Sequence, residues 1–173
     1  MRLLTFLILL CAPVFAQTVD SVYVEVAPGV VVELSDLDSR DARMATPLHR
    51  AAAATTDPEL IRMMLARGAD PGARDAEGRT PLHDAAAAGA PLGVLAALLG
   101  GGADPTARDA AGETPLALAA TAEAAALLTV VGGDPCATDA GGSPALTEAM
   151  LESIREQAPD LYPRMRDAYL GCL

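Results

Sequence analysis

Only two histidines occur in the chain, His49 and His83, and each follows a threonine by three residues, Thr46 and Thr80 respectively. His83 also stands beside Asp84, and a Thr, a His and an Asp so close together are the raw material of nucleophilic or general acid–base chemistry. A second candidate lies near the C-terminus, where Glu148, Glu152 and Glu156 recur every fourth residue and so share one face of a helix. His49, His83, Cys136 and Cys172 lack the close ligand pairs that a zinc site needs. The chain has no lysine, and the glycines at 100–102 follow an apolar run, so no phosphate-binding loop is present. These residues imply neither a metal nor a cofactor. The glutamates read more simply as the solvated face of a capping helix.

The elements that carry these residues are repeated. TPLHRAAAA begins at Thr46, TPLHDAAAA at Thr80, TPLALAATA at Thr114 and a worn SPALTEAML at Ser143. The first two steps are 34 residues long. GADPGARDAEGR from Gly68 and GADPTARDAAGE from Gly102 keep the same offset, and GGDPCATDAGGS from Gly132 follows after 30 residues. Within a unit, Thr80 suits an N-cap and Pro81 the first helical position, where a missing N–H does no harm. A helix over Leu82–Ala88 follows, its alanines favouring helix and letting neighbouring units approach closely. Gly89 to Pro91 breaks the chain direction. Val94, Leu95, Leu98 and Leu99 then form the buried stripe of a second helix. Gly100 to Gly102 end that helix, and Asp-Ala-Glu-Gly at 75 or Asp-Ala-Ala-Gly at 109 supplies a tight turn.

This unit resembles the ankyrin repeat, on the TPLH, the central alanine pair and the GAD turn, over about residues 40–142. The resemblance implies an all-α repeat solenoid of about four helix-turn-helix units, with hairpin-like fingers along one edge and the first helices lining a concave face. It also implies a structural signature at Thr46, Pro47, Leu48 and His49, repeated at Thr80, Pro81, Leu82 and His83 and, without its histidine, at Thr114, Pro115 and Leu116. His49 and His83 fall on the family's signature histidine, which links neighbouring turns by hydrogen bonds. Ala117 holds that place in the third unit, which a shared catalytic role would not tolerate.

Departures from the pattern mark the ends of the array. The third unit is four residues shorter than the second between its Thr and its Asp-Pro, so an irregular unit is expected. Met44 replaces the glycine of the finger turn in the first unit. Upstream, residues 17–39 form an N-terminal cap: Val22, Val24 and Val26 alternate with Tyr23 and Glu25, and Pro28-Gly29 suits a type II turn, so a β-ribbon is expected. A decayed helix there would contain Pro28 and is disfavoured. Such a ribbon shields the first repeat and could also offer a strand to a partner. Residues 143–173 form a divergent C-terminal cap: a helix within SPALTEAMLESIREQ, a break at Ala158-Pro159, and a closing helix from Asp160 to Leu170 carrying Tyr162 and Tyr169. In the repeat stack, Cys136 and Cys172 become neighbours. In an oxidising compartment they are expected to form a disulfide, provided the tail bends back far enough for their Cα atoms to approach within about 7 Å.

Residues 1–16, MRLLTFLILLCAPVFA, read as a secretory signal peptide: Arg2, an apolar run from Leu3 to Leu10, and Val14 and Ala16 at a small-residue cleavage site. The run is shorter than a membrane span of roughly 20 residues and is interrupted by Pro13. A lipid-modified Cys11 would want a small residue where Leu10 stands. An exported protein, periplasmic or extracellular, is therefore expected, with no stable membrane insertion after cleavage. Twelve arginines face 23 acidic residues, a formal net charge of −11, and no stretch concentrates arginine without carboxylates. Nucleic acid is an unsuitable partner for such a surface.

A repeat stack without a cofactor signature is most economically a protein-binding module, here an adaptor, inhibitor or protective partner of another exported protein. An enzyme built on the C-terminal carboxylates and an effector that binds host proteins are the alternatives. Fingers and concave helices would make the contact. The finger candidates are Arg40, Asp41 and Arg43; Arg74, Asp75, Glu77 and Arg79; and Arg108, Asp109 and Glu113. On the concave side, Arg50, Asp84 and Leu118 hold equivalent places. The aspartates at 41, 75, 109 and 139 recur in every unit and would fix the turns through their own backbone bonds, leaving Arg74 and Glu77 as better contacts.

Overall fold

A computed structural model describes residues 23–138, 141–142, 144–157 and 159–172. The expected signal peptide, Val22, the turn aspartate at 139, Ser143 and Ala158 lie outside the described residues. Strand β1 (Tyr23–Ala27) and strand β2 (Val30–Glu33) form an antiparallel two-stranded ribbon. Gly29 takes the positive φ, 77°, that a type II turn needs after Pro28. Val32 and Leu34 are buried against the first helix, so the ribbon covers the end of the stack.

The first unit comprises α1 (Pro47–Ala54) and α2 (Pro58–Ala66), and the second α3 (Pro81–Ala87) and α4 (Leu92–Gly100). The α3 bounds stand one residue before the expected ones because Pro81 itself belongs to the first turn. First helix packs on first helix and second on second. Ala51, Ala52, Ala85 and Ala86 are fully buried, so the helices meet almost backbone to backbone, while Leu48, Ile61, Met64, Leu82, Leu95 and Leu98 fill the volume between the helix layers. Each second helix ends the same way. Gly68, Gly102 and Gly132 hold φ values of 96°, 95° and 106°. The next N–H then reaches back to the last turn: Ala69 to Met64 at 3.0 Å, Ala103 to Leu98 at 3.0 Å, and Gly133 to Leu128 at 2.8 Å. This is the Schellman closure, and it is why glycine recurs at that place.

The shortened third unit loses its first helix. Residues 115–118 are turns, and α5 (Ala122–Val130) survives as the second helix, capped by Thr121. The backbone N–H of Ala120 instead donates 3.0 Å to the carbonyl of Ala86, at the end of α3, so the trimmed segment is tied directly to the preceding unit.

The C-terminal cap departs from the expected helix bounds at both starts. Residues 144–147 are not helical: Pro144 bridges to Thr138, Ala145 donates 2.7 Å to the carbonyl of Ala137, and α6 spans Glu148–Gln157. The closing helix α7 spans Tyr162–Leu170, beginning at Tyr162 rather than Asp160, with Pro163 in its first turn. Leu146, Leu151, Ile154 and Met165 form a second small core with Ala122 and Ala126 of α5. A disulfide joins Cys136 and Cys172 across 36 residues, with Cα atoms 5.1 Å apart, so the tail does fold back as the pairing requires.

Candidate functional site

Both histidines are consumed by architecture. In each of the first two units the histidine sits at the third helical position and completes a capping box in place of the usual Glu or Gln. His83 Nδ1 accepts the Thr80 N–H at 3.1 Å and lies 2.9 Å from Thr80 Oγ1. An accepting Nδ1 puts the proton on Nε2, which donates 3.1 Å to the carbonyl of Glu113 in the next finger. His49 repeats this with Thr46, at 3.2 and 2.9 Å, and with the carbonyl of Arg79 at 3.0 Å. Burial lowers the pKa of His83, which keeps the ring neutral and in the tautomer that this link needs. No lone pair or proton is left over for catalysis. In the third unit, the Thr114 hydroxyl caps Ala117 N–H at 3.3 Å and the cross-unit link ends.

Each of the first three fingers is organised by its aspartate. Asp41 accepts from the N–H groups of Arg43 and Ala45, Asp75 from Glu77 and Arg79, and Asp109 from Ala111 and Glu113, all at 2.8–3.0 Å. Burial pushes the Asp75 carboxyl up, but those N–H groups and the Arg43 guanidinium, 3.2 Å away, together hold it below the ordinary range. Backbone bonds join successive fingers, Ala76 N–H to the Arg43 carbonyl at 2.8 Å and Ala110 N–H to the Glu77 carbonyl at 2.9 Å. The fingers are thus one ladder rather than separate loops.

The arginines brace that ladder. Arg40 donates to the carbonyls of Met44 (2.9 Å) and Arg74 (2.7 Å). Arg74 donates in the same way to Gly78 (2.7 Å) and Arg108 (2.6 Å), and Arg108 to Gly112 (2.8 Å). The sequence reading offered Arg74 as a contact residue; the structure gives it a bracing role in which its guanidinium links two fingers. The signal was present in the 34-residue recurrence of Arg-Asp-Ala at 40, 74 and 108. Arg79 lies among Glu77 and Asp109, each at 3.5 Å, and Glu113 at 4.0 Å.

On the exposed side of the first helices the three candidates differ. The Arg50 guanidinium donates to the carbonyl of Val31 and so ties β2 to α1, a role that spacing did not reveal. Leu118 is half-buried on the trimmed third unit. Asp84 is half-buried on α3, its pKa is raised by burial, and its carboxylate oxygens stay open to solvent with no hydrogen bond among the described residues. Glu77, with its side chain 59% exposed, is the most open carboxylate of the second finger. Glu148, Glu152 and Glu156 lie exposed on α6, and Glu152 pairs with Arg155 at 2.6 Å, the arrangement of a solvated cap. Among the described residues no cluster of three or more His, Cys, Asp or Glu side chains could hold a metal ion, and no helix is long and apolar enough to cross a membrane.

Comparison with protein families matches residues 22–109 to a model described as ankyrin repeats (3 copies). The match opens at the ribbon and closes in the finger before the trimmed third unit. A search of curated proteins found no match to this chain.

Proposed function

This chain belongs to the ankyrin repeat family, whose repeats are non-catalytic scaffolds typical of protein–protein interaction, and on that premise we propose that it is an exported binding module that holds another exported protein. One observation carries the reading: Asp84 stands half-buried on the first-helix face, its carboxylate oxygens open to solvent and without a hydrogen bond among the described residues, and burial raises its pKa. A partner that supplies a cation or N–H donors there would relieve that cost on binding. Glu77 on the second finger and Leu118, which holds the place of Asp84 one repeat on, are further accessible candidates for the contact. Arg74, Arg79, Arg108, Asp75, Asp109 and Glu113 shape the surface by holding the fingers in register.

Export is part of the proposal. It rests on the leader-like residues 1–16 and accords with the Cys136–Cys172 disulfide, since such bonds persist in oxidising compartments. The test is affinity capture from the native exported fraction with the tagged protein beside a Glu77→Arg, Leu118→Arg variant. Both side chains are at least partly exposed, so the fold should survive, as checked by helical circular dichroism. A stoichiometric partner that the variant fails to retain supports the reading. Retention of the same partner by the variant would move the interface elsewhere, and the absence of any partner after cross-linking would overturn the adaptor role.

A further inference from the structure

The N-terminal ribbon has two edges in different states. α1 packs against both strands, more extensively against β2, and Arg50 on α1 donates to the Val31 carbonyl of β2. β1 is the other strand of a two-stranded sheet, and no backbone group from another element bonds to it among the described residues. An open strand edge is a template for an extended chain.

A groove of about 470 Å³ runs beside β1. Val24, Glu25 and Val26 line it together, and successive side chains of a strand point to opposite faces, so the groove borders the strand's edge rather than one face. The opposite wall is the start of α2 and the turn before it, with Asp57, Glu59, Leu60 and Met63. Its floor is apolar, from Val24, Val26, Leu60 and Met63, and its rim is net acidic: Glu25 accepts from the Gly29 N–H, Asp57 caps α2 through the Glu59 N–H, and Glu59 pairs with Arg62, which stands outside the lining. The charge extends past the groove: residues 23–39 contain Glu25, Glu33, Asp36 and Asp38 and no arginine or lysine.

We propose that this groove receives an extended basic segment of a partner protein, which adds as a third strand to β1. Main-chain bonds to β1 supply the affinity. Alternate side chains would rest on Val24, Val26, Leu60 and Met63, while intervening Arg or Lys side chains meet Glu25 on one wall and Asp57 and Glu59 on the other. The repeating geometry of a strand matches this alternation of apolar floor and acidic rim. This surface lies on the cap, apart from the finger and first-helix face, so the two can be occupied by different parts of one partner or by separate partners.

The test uses the full chain and a short synthetic peptide alternating Val and Arg, followed by fluorescence anisotropy and by amide chemical shifts. Binding is expected to weaken with salt, to shift the amides of residues 23–27, and to fall about tenfold or more in a Glu25→Arg, Glu59→Arg variant. A Glu156→Arg control makes a charge change of the same sign on exposed α6 and should leave binding intact. A peptide in which proline replaces alternate residues removes backbone donors and should bind far more weakly. Equal binding of a Val–Glu peptide, equal loss in the Glu156→Arg control, undiminished binding of the proline peptide, shifts confined to the fingers, or no binding at all would each overturn the proposal. None of these outcomes depends on Glu77 or Leu118, so the result is separable from capture through the finger face.

Discussion

The ring of His83 joins two repeats: its Nε2 donates to the carbonyl of Glu113, 30 residues onward, at 3.1 Å, while its Nδ1 holds the N-cap of its own helix. Replacing His83 by Ala removes both bonds from a fully buried site, and two buried polar groups lose their partner. The expected loss is about 2–3 kcal/mol of unfolding free energy, read from the urea midpoint at unchanged slope. A loss under about 0.5 kcal/mol would show that the cross-unit bond is not a net contributor.

The same residue sets a pH dependence. Burial lowers the His83 pKa in the folded state, so the unfolded chain binds its proton more readily. Its contribution is fully present above the unfolded value of about 6.5 and is lost as pH falls from there through the depressed folded pKa. The stability gap between the native protein and His83→Ala should therefore narrow as pH falls below about 6.5. A gap that widens on acidification would contradict the assignment of a neutral ring.

Asp84 should behave in the opposite sense. Its folded pKa is raised by burial, so folding is disfavoured by its ionisation as pH rises from about 3.9 through the folded pKa. Asp84→Asn is expected to raise the melting temperature at neutral pH and to have little effect below about pH 4. It should at the same time weaken capture of the partner, a separation of stability from binding that a purely structural aspartate would not show.

Met44 and Gly78 hold the same place in successive fingers, with φ of 59° and 75°, and Met44 is the one non-glycine residue with positive φ among the described residues. Its side chain is half exposed, so Met44→Gly relieves backbone strain at little cost in contacts and should stabilise by about 1 kcal/mol. Gly78→Ala should destabilise by more, because an added Cβ would lie 3.0 Å from the backbone nitrogen of Ala110 as well as at positive φ. Thermal melts of the two single variants would decide it; equal and opposite shifts would leave the Ala110 contact without effect.

Cys136 and Cys172 close a loop spanning 36 residues that contains α6 and most of the second core. Loop entropy for that length corresponds to at most about 4 kcal/mol, and the effect should be local to the cap. A Cys136→Ser, Cys172→Ser variant is expected to lose hydrogen-exchange protection in α6 and α7 while α1 to α4 keep theirs, because each repeat contacts mainly its neighbours. Uniform loss of protection along the chain would mean that the stack unfolds as a single unit.

The repeat period, the helix pairs, the ribbon and the glycine-closed helix ends were legible in the sequence because each depends on local spacing: 34 residues between signatures, Pro at the first helical turn, Gly where φ must be positive. Tertiary structure alone decided which arginines brace the fingers, that Arg50 serves the ribbon, and that the missing residues of the third unit come from its first helix. It also decided that the finger aspartates Asp75 and Asp109 spend their carboxylates on backbone N–H groups while Asp84, on α3, does not. Arginine and aspartate have the same chemistry wherever they occur, and only the distance to another unit's carbonyl or N–H determines whether that chemistry is spent inside the molecule or left for a partner.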